Sequence, residues 1–403
     1  MSPAYLPINR GFDEHEGYFQ GCKSQSTHVA SCCSAPSKNA SDFSNFICDA
    51  PSSGPDYRGA DWFRGTTFAG GAANNNTPSS LLIASLAEDA IARFATDPTT
   101  PFFIYLPFQN IHAPYDAAWE NVQLFANLGY SIEQMTMFAY IKEMDDAIGR
   151  IIAALKNAGI EANDTVIIAA SDNGAPNAPN VMDRNWPLSG FKSGTHEGGT
   201  RVPAIIYAPA YFPPNLTVDA MVHAVDWMPT LASIWGGGVG DTIDGIDQGA
   251  TFAGGAPSRL ELVINVNHVS DSSNTQFSYP SAAIRVGDMK LLCWQFTAKG
   301  VAGATTTGCH DDPAHPGDWP QVYNVSIGGD VGEEVNLAPS NPQLVQTLLA
   351  RMIQLAGPGE TAEPMVWTPP YQGADYYCAN CPLRNKTGPF VPWGPWLSDP
   401  SNF

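Results

Sequence analysis

The sequence predicts an α/β protein with a mostly parallel central sheet and helices on both faces, followed by a smaller C-terminal α+β domain with an antiparallel sheet. Three observations predict it. Helical and β-favouring runs alternate between Ser79 and Ala208. The stretch Thr165-Val-Ile-Ile-Ala-Ala170 is continuously apolar and β-favouring, as in a strand covered on both sides. Beyond a glycine-rich span at 236–255, two short apolar runs meet at Gly287-Asp288 in a hairpin pattern. At 403 residues the chain is long enough for two domains, expected at 1–255 and 256–403.

Taken in order, residues 22–78 are rich in Ser, Asn, Gly, Pro and Cys with no period of 2 or 3.6, so an irregular excursion is expected there. From Ser79, LLIASLAEDAIARFA has helical spacing and ends before Pro98 and Pro101; FFIYLPF, residues 102–108, then reads as a buried strand. A second helix is expected from Ile132 to Asn157. Ser131 and Gln134 form a capping-box pair, Gly159 is a suitable stop, and Ile132, Met135, Phe138, Ile141, Met144, Ile148, Ile151 and Leu155 trace one face. Arg201 to Ala208 supplies a further strand, Trp227 to Trp235 a short helix, and the glycines of 236–255 read as a linker. In the C-terminal part a helix is expected from Pro342 to Leu355.

The formal charge of -20 reflects 19 Lys and Arg against 39 Asp and Glu, a balance that repels phosphate backbones and argues against nucleic acid as a partner. An anion site on such a chain has to be built from a few local donors. No run is long enough to span a bilayer. Asn-x-Ser/Thr sequons at Asn39, Asn75, Asn163, Asn215, Asn324 and Asn385, together with eight cysteines outside any paired zinc-ligand pattern, point to a secretory route, lysosomal or extracellular. Cys378-Ala-Asn-Cys381 reads C-x-x-C, but no helix follows it. The opening MSPAYLPINRGFDEHEG lacks the basic start and apolar core of a signal peptide, so the expectation is that the protein's true beginning lies upstream.

Ligands of open parallel sheets bind beyond the carboxyl ends of the strands, which directs attention to the polar residues after each apolar run. Ser171-Asp172-Asn173-Gly174 sets a carboxylate beside an amide oxygen, a pair that suits a hard cation, calcium before magnesium; a plain Asp-Asn-Gly turn fits equally. Asn110-Ile-His112-Ala-Pro114 puts an imidazole on the same expected rim, where it could donate to an oxyanion or protonate a leaving group, although a loop histidine is often structural. Gly190-Phe-Lys192-Ser-Gly-Thr-His196-Glu197-Gly-Gly-Thr-Arg201-Val-Pro203 is glycine-rich and carries two cations before a strand. It could hold an anion, or nothing.

Together these segments, with Arg10-Gly-Phe-Asp13, Met144-Asp145, Asn185-Trp-Pro-Leu188, Asp226-Trp-Met-Pro-Thr230 and Asp244-Gly-Ile-Asp247, resemble in order the sulfatase family of the alkaline phosphatase-like superfamily. Ala283-Ile-Arg-Val-Gly-Asp-Met-Lys-Leu-Leu292, Val331-Gly-Glu-Glu-Val-Asn-Leu337 and Trp393-Gly-Pro-Trp396 are similar to the C-terminal domain of arylsulfatase B and its near relatives. The resemblance implies a sulfuric ester hydrolase acting on sulfated sugars or aryl sulfates. It implies one calcium ion held in part by Asp172 and Asn173, sulfate contacts from Lys192, and contact of His112 with sulfate or the leaving oxygen. It also implies a cysteine-derived formylglycine nucleophile.

That nucleophile motif, C-x-P-S-R or C-x-A-x-R, is absent, as are paired aspartates after an early strand and G-K-W-H-L-G. Cys33-Ser-Ala-Pro36-Ser37-Lys38 has one residue too many and Lys for Arg, Cys48-Asp-Ala-Pro51-Ser52 departs further, and Asp145-Asp146 falls within a predicted helix. The expectation is that the nucleophile segment lies outside this chain and that the chain alone does not hydrolyse sulfate esters. The alternative is a non-catalytic sulfatase-like protein that binds sulfated glycans or a protein partner.

Overall fold

The computed structural model describes residues 6–18, 29–31, 58–60, 62–69, 77–97, 99–112, 115–161, 165–176, 185–240, 243–266, 282–297, 308–310 and 317–356. Cys378-Ala-Asn-Cys381 and Trp393-Gly-Pro-Trp396 lie outside them. The described residues form two compact units, one within 1–161 and one within 162–368.

The first unit is built on helices Ser79–Phe94 and Ile132–Asn157, which pack on each other, with the short helix Trp119–Gln123 against the second. The capping box at Ser131 forms in full: Gln134 N–H donates to Ser131 Oγ at 3.3 Å and Ser131 N–H to Gln134 Oε1 at 3.0 Å. At the other end Gly159 takes φ 74°, and Ile160 N–H reaches Leu155 O at 3.2 Å, closing the helix.

The buried face of this helix is offset from the expected one. Met137, Ala139, Tyr140, Glu143 and Ala147 are buried, while Ile141 is 41% exposed. Polar capture explains Glu143, whose carboxylate accepts from Ala118 N–H at 2.7 Å and Asn121 Nδ2 at 2.9 Å. An apolar stripe cannot reveal a helix face chosen partly by a buried carboxylate.

Residues 102–108 are extended but form no ladder among the described residues, a correction to the expected buried strand. Leu106 and Phe108 pack on the core of Trp62 and Ile83, whereas Phe103 and Tyr105 are 65% and 68% exposed. Alternation across an extended chain thus covers one face only. Three short strands, Glu16–Gly17, Phe63–Arg64 and Thr67–Phe68, make a small antiparallel sheet in this unit.

In the second unit Ile167–Ala170 pairs with Ala204–Tyr207, and the pairing is antiparallel, Ile167 opposite Tyr207. Every ladder among the described residues is antiparallel, where the sequence led us to expect parallel ones. Nor is strand Ile167–Ala170 covered on both sides as expected, since Ala169 and Ala170, and Ala204, Ile205 and Tyr207 of its partner, are exposed; strand direction is set by where the connecting chain returns.

The span 236–255 is likewise not a plain linker. It contains the helix Gly249–Phe252, and Gln248 and Thr251 are buried. Asp226, fully buried at the start of helix Trp227–Ile234, organises it. Its carboxylate takes Arg259 Nε at 2.9 Å, Gln248 Nε2 at 3.0 Å and Ile246 N–H at 2.9 Å. Burial alone would raise the Asp226 pKa, but the Arg259 guanidinium and backbone donors from Ile246 and His223 outweigh it and hold the group below the usual carboxylate range.

The C-terminal part is the expected antiparallel sheet. Its strands run in the order Gln321–Asn324, Met289–Cys293, Ala282–Val286, Glu261–Val266, with Gly287 at φ 56° in the hairpin turn. Helix Pro342–Ala356 lays Leu348 and Met352 on Ala282, Ile284, Leu291 and Val322; Ala283, Leu292, Tyr323 and Val325 pack on the opposite face. Cys293 and Cys309 form a disulfide that links strand Met289–Cys293 to strand Gly308–His310.

Candidate active site

Two loops at one end of the Ile167–Ala170 and Ala204–Tyr207 ladder carry three of the four predicted site residues. The first, 171–176, leaves the strand; the second, 185–203, enters its partner. Backbone hydrogen bonds join them: Ser171 N–H to Pro203 O at 3.2 Å, Gly174 N–H to Gly199 O at 3.2 Å, and Lys192 N–H to Ala175 O at 2.9 Å. Asn185 ties both loops with one side chain. Its Oδ1 accepts from Ala175 N–H at 2.8 Å, and its Nδ2 donates to Ala175 O at 3.1 Å and Gly190 O at 3.0 Å.

Glycine makes this approach possible. A Cβ at Gly174 would lie 1.7 Å from Gly198 O, one at Gly198 2.5 Å from Ser189 O, and one at Gly199 2.4 Å from Gly194 O. No side chain fits where backbone meets backbone at these distances, so glycine spacing in this segment is a packing requirement.

The knit sets the residues that bear charge. Asp172 is exposed and its carboxylate has no hydrogen-bond partner among the described residues. Asn173 Nδ2 donates to Gly174 O at 3.0 Å, which turns Oδ1 away as a free acceptor. Lys192 is half-buried and forms no ion pair among the described residues. His112 belongs to the first unit. It is exposed, with its N–H bonded to Gln109 O at 2.9 Å, beside Asn110, whose Nδ2 donates to Tyr140 O at 2.9 Å.

A carboxylate and an amide oxygen on adjacent residues match the donor preference of calcium, which takes about six to eight oxygens. Among the described residues there is no group of three or more His, Cys, Asp or Glu that could hold a metal. Asp172 and Asn173 therefore fit as part of a coordination shell.

Beneath the second loop lies a buried charge cluster that the sequence reading left without a role. Glu197 opens the helical turn Glu197–Thr200, and its Oε1 accepts from Lys290 Nζ at 2.8 Å, while Lys290 Nζ stands 3.0 Å from Glu333 Oε1. Glu333 Oε2 in turn accepts from Glu197 N–H at 2.8 Å. Burial is the main force raising the Glu333 pKa. His196 is driven down to about 4, by burial first and then by the Lys290 charge, so it is neutral at pH 7. Asn185 was also missed as an organiser, since one amide bridging two loops leaves no periodic trace.

The sulfatase family model matches residues 39–237, the stretch that contains both loops. Along that stretch, just under half of the chain, the protein is similar to the sulfatases. Mouse arylsulfatase J is 25% identical over 413 residues, covering 98% of this chain and 62% of that protein. A sulfatase of Formosa agariphila is 31% identical over 268 residues, 63% of this chain and 45% of its own length. The chain thus spans less than two thirds of either relative. Among solved structures, Ps i-CgsB in complex with k-i-k-neocarrahexaose superposes with a TM-score of 0.67 at 20% identity, over 90% of this chain and 70% of that one. The PsFucS1 sulfatase from Pseudoalteromonas sp. gives 0.51 at 22% identity, over 68% and 52%. The chain shares their fold, and among its described residues no helix is long and apolar enough to cross a membrane.

Proposed function

We propose that this chain supplies the cation- and sulfate-binding part of a sulfuric ester hydrolase acting on sulfated sugars or aryl sulfates. The observation that carries the proposal is the glycine-dependent knit of loops 171–176 and 185–203, one loop bearing a carboxylate and an amide oxygen and the other an ammonium that no described carboxylate neutralises. Asp172 and Asn173 Oδ1 would contribute to one calcium ion, whose chemistry is to polarise a bound sulfate ester. Lys192 attracts sulfate oxygens as a point charge. His112, in the role the resemblance gives it, donates a proton toward sulfate or the leaving oxygen.

A reaction of this class needs a nucleophile, and none of the cysteines stands in the formylglycine motif. We therefore place the formylglycine outside these 403 residues and the protein on the secretory route, lysosomal or extracellular. The absence of the motif also favours the second reading, a sulfatase-like protein that binds sulfated glycans or a partner without turnover.

Expressing the 403 residues with and without the upstream coding segment, and assaying a chromogenic aryl sulfate, tests the proposal. Turnover is expected only from the extended protein and is lost in Asp172→Ala and Lys192→Ala. Turnover by the unextended chain would overturn the placement of the nucleophile. Retention of sulfated oligosaccharide by both forms, with no hydrolysis by either, would establish the binding protein instead.

A further inference from the structure

Three sequence motifs with no assigned role meet at one point: Glu197-Gly-Gly-Thr-Arg201, Gly287-Asp-Met-Lys290 and Gly332-Glu333-Glu334. Lys290 is 0% exposed on strand Met289–Cys293, so it cannot touch a substrate. Yet its ammonium sits between Glu197 Oε1 at 2.8 Å and Glu333 Oε1 at 3.0 Å. Two further guanidiniums approach from other directions, Arg201 at 3.6 Å and Arg285 at 3.8 Å from Glu197 Oε2. Glu333 holds φ 52°, a left-handed conformation that glycine adopts readily and glutamate does not, and it delivers both oxygens into the cluster.

Apolar residues alone would have sufficed to fill this part of the core, and a buried ion pair is seldom the more stable choice. What the cluster adds is position. Glu197 is five residues from Lys192 in sequence. The helical turn that it opens carries Gly198 and Gly199, against which the Asp172 loop packs. We propose that Lys290 and Glu333 are positioning residues that clamp Glu197, and so fix the loop from which Lys192 meets a sulfate group. The proposal rests on the assignment of Lys192 made above.

A second consequence is electrostatic. Lys290 cancels carboxylate charge under an anion site on a strongly negative protein. Without it the two carboxylates are left buried with less compensation, and Glu333, whose pKa burial already raises, opposes an incoming anion until it is protonated. Lys290→Met should therefore weaken binding of inorganic sulfate about tenfold at pH 7.5, with affinity recovering as the pH falls. The charged and titratable groups that face the cluster are Glu197, Glu333, Arg201, Arg285 and His196.

The experiment is calorimetric titration of the full chain with inorganic sulfate between pH 5 and pH 7.5, on the parent, Lys192→Ala, Lys290→Met and Lys290→Met/Glu197→Gln, with circular dichroism to establish that each is folded. The expected result is loss of binding in Lys192→Ala, a loss in Lys290→Met that lessens as the pH falls, and only partial restoration in the double variant, which removes the stranded charge but not the lost hold on the loop. Sulfate binding that is insensitive to Lys192→Ala overturns the site assignment. Binding lost in Lys192→Ala but retained at every pH by a folded Lys290→Met overturns the clamp, whereas a loss in Lys290→Met that is equal at all pH values and not rescued by the second substitution supports the clamp and overturns the charge compensation. Should Lys290→Met fail to fold, Glu333→Gln is read in its place. It breaks the Lys290–Glu333 ion pair that holds Glu197 and is expected to weaken sulfate binding several-fold, whereas affinity equal to or above that of the parent would overturn the clamp.

Discussion

The loop pair 171–176 and 185–203 and the sheet 261–324 are held together by opposite means. In the loops, backbone meets backbone: hydrogen bonds run between main chains, Asn185 bridges them, and glycines remove every atom that would interfere. In the sheet, side chains do the holding, with Ile284, Leu291 and Leu292 fully buried on alternating faces. The loops are thus held without using the side chains of Asp172 and Lys192, while the sheet spends its side chains on packing. Lys290 is the exception, a charge in the sheet turned toward the loops. The difference teaches that the site tolerates little added volume and the sheet little lost volume.

The strongest way to break that contrast is Gly174→Val. With a Cβ 1.7 Å from a carbonyl oxygen, the loops must separate; we expect a loss of at least about 3 kcal/mol together with loss of cation and sulfate binding. Chemical denaturation and terbium luminescence read the two effects, and unchanged luminescence would show that the loops do not hold the ligands.

Leu291→Ala is the matching test in the sheet. It should cost about 3 kcal/mol through a cavity, leaving sulfate affinity in the surviving folded protein within about twofold of the parent. A large affinity loss would erase the distinction between the two regions.

Acid provides a third, intermediate test. His196 has a folded pKa of about 4 against 6.5 in the unfolded chain, so between these values the unfolded state binds more protons and stability rises with pH. The contribution is intact above pH 6.5 and is lost as the pH falls toward 4, amounting to about 2 kcal/mol at pH 5. His196→Gln should flatten that part of the stability profile, measured by denaturant midpoint against pH. An unchanged slope would mean that the ring is not held neutral.

The smallest expected effect lies outside both regions. Ser131→Ala removes one half of the capping box and should cost about 1 kcal/mol with no change in ligand binding, a baseline against which the other effects can be judged.

Local signals in the sequence determined much of this protein: the helices at Ser79–Phe94, Ile132–Asn157 and Pro342–Ala356, the cap at Ser131 and the hairpin at Gly287. These features are fixed by neighbours within a few positions, where periodicity and turn chemistry act. Only the tertiary structure decided the rest. It paired Ile167–Ala170 antiparallel, left one face of 102–108 uncovered, folded 249–252 into the core, and brought Glu197, Lys290 and Glu333 into one buried cluster. Strand direction and the meeting of distant charges depend on the path of the chain between them, and Glu197 and Glu333 stand 136 residues apart with no periodic pattern to mark the contact.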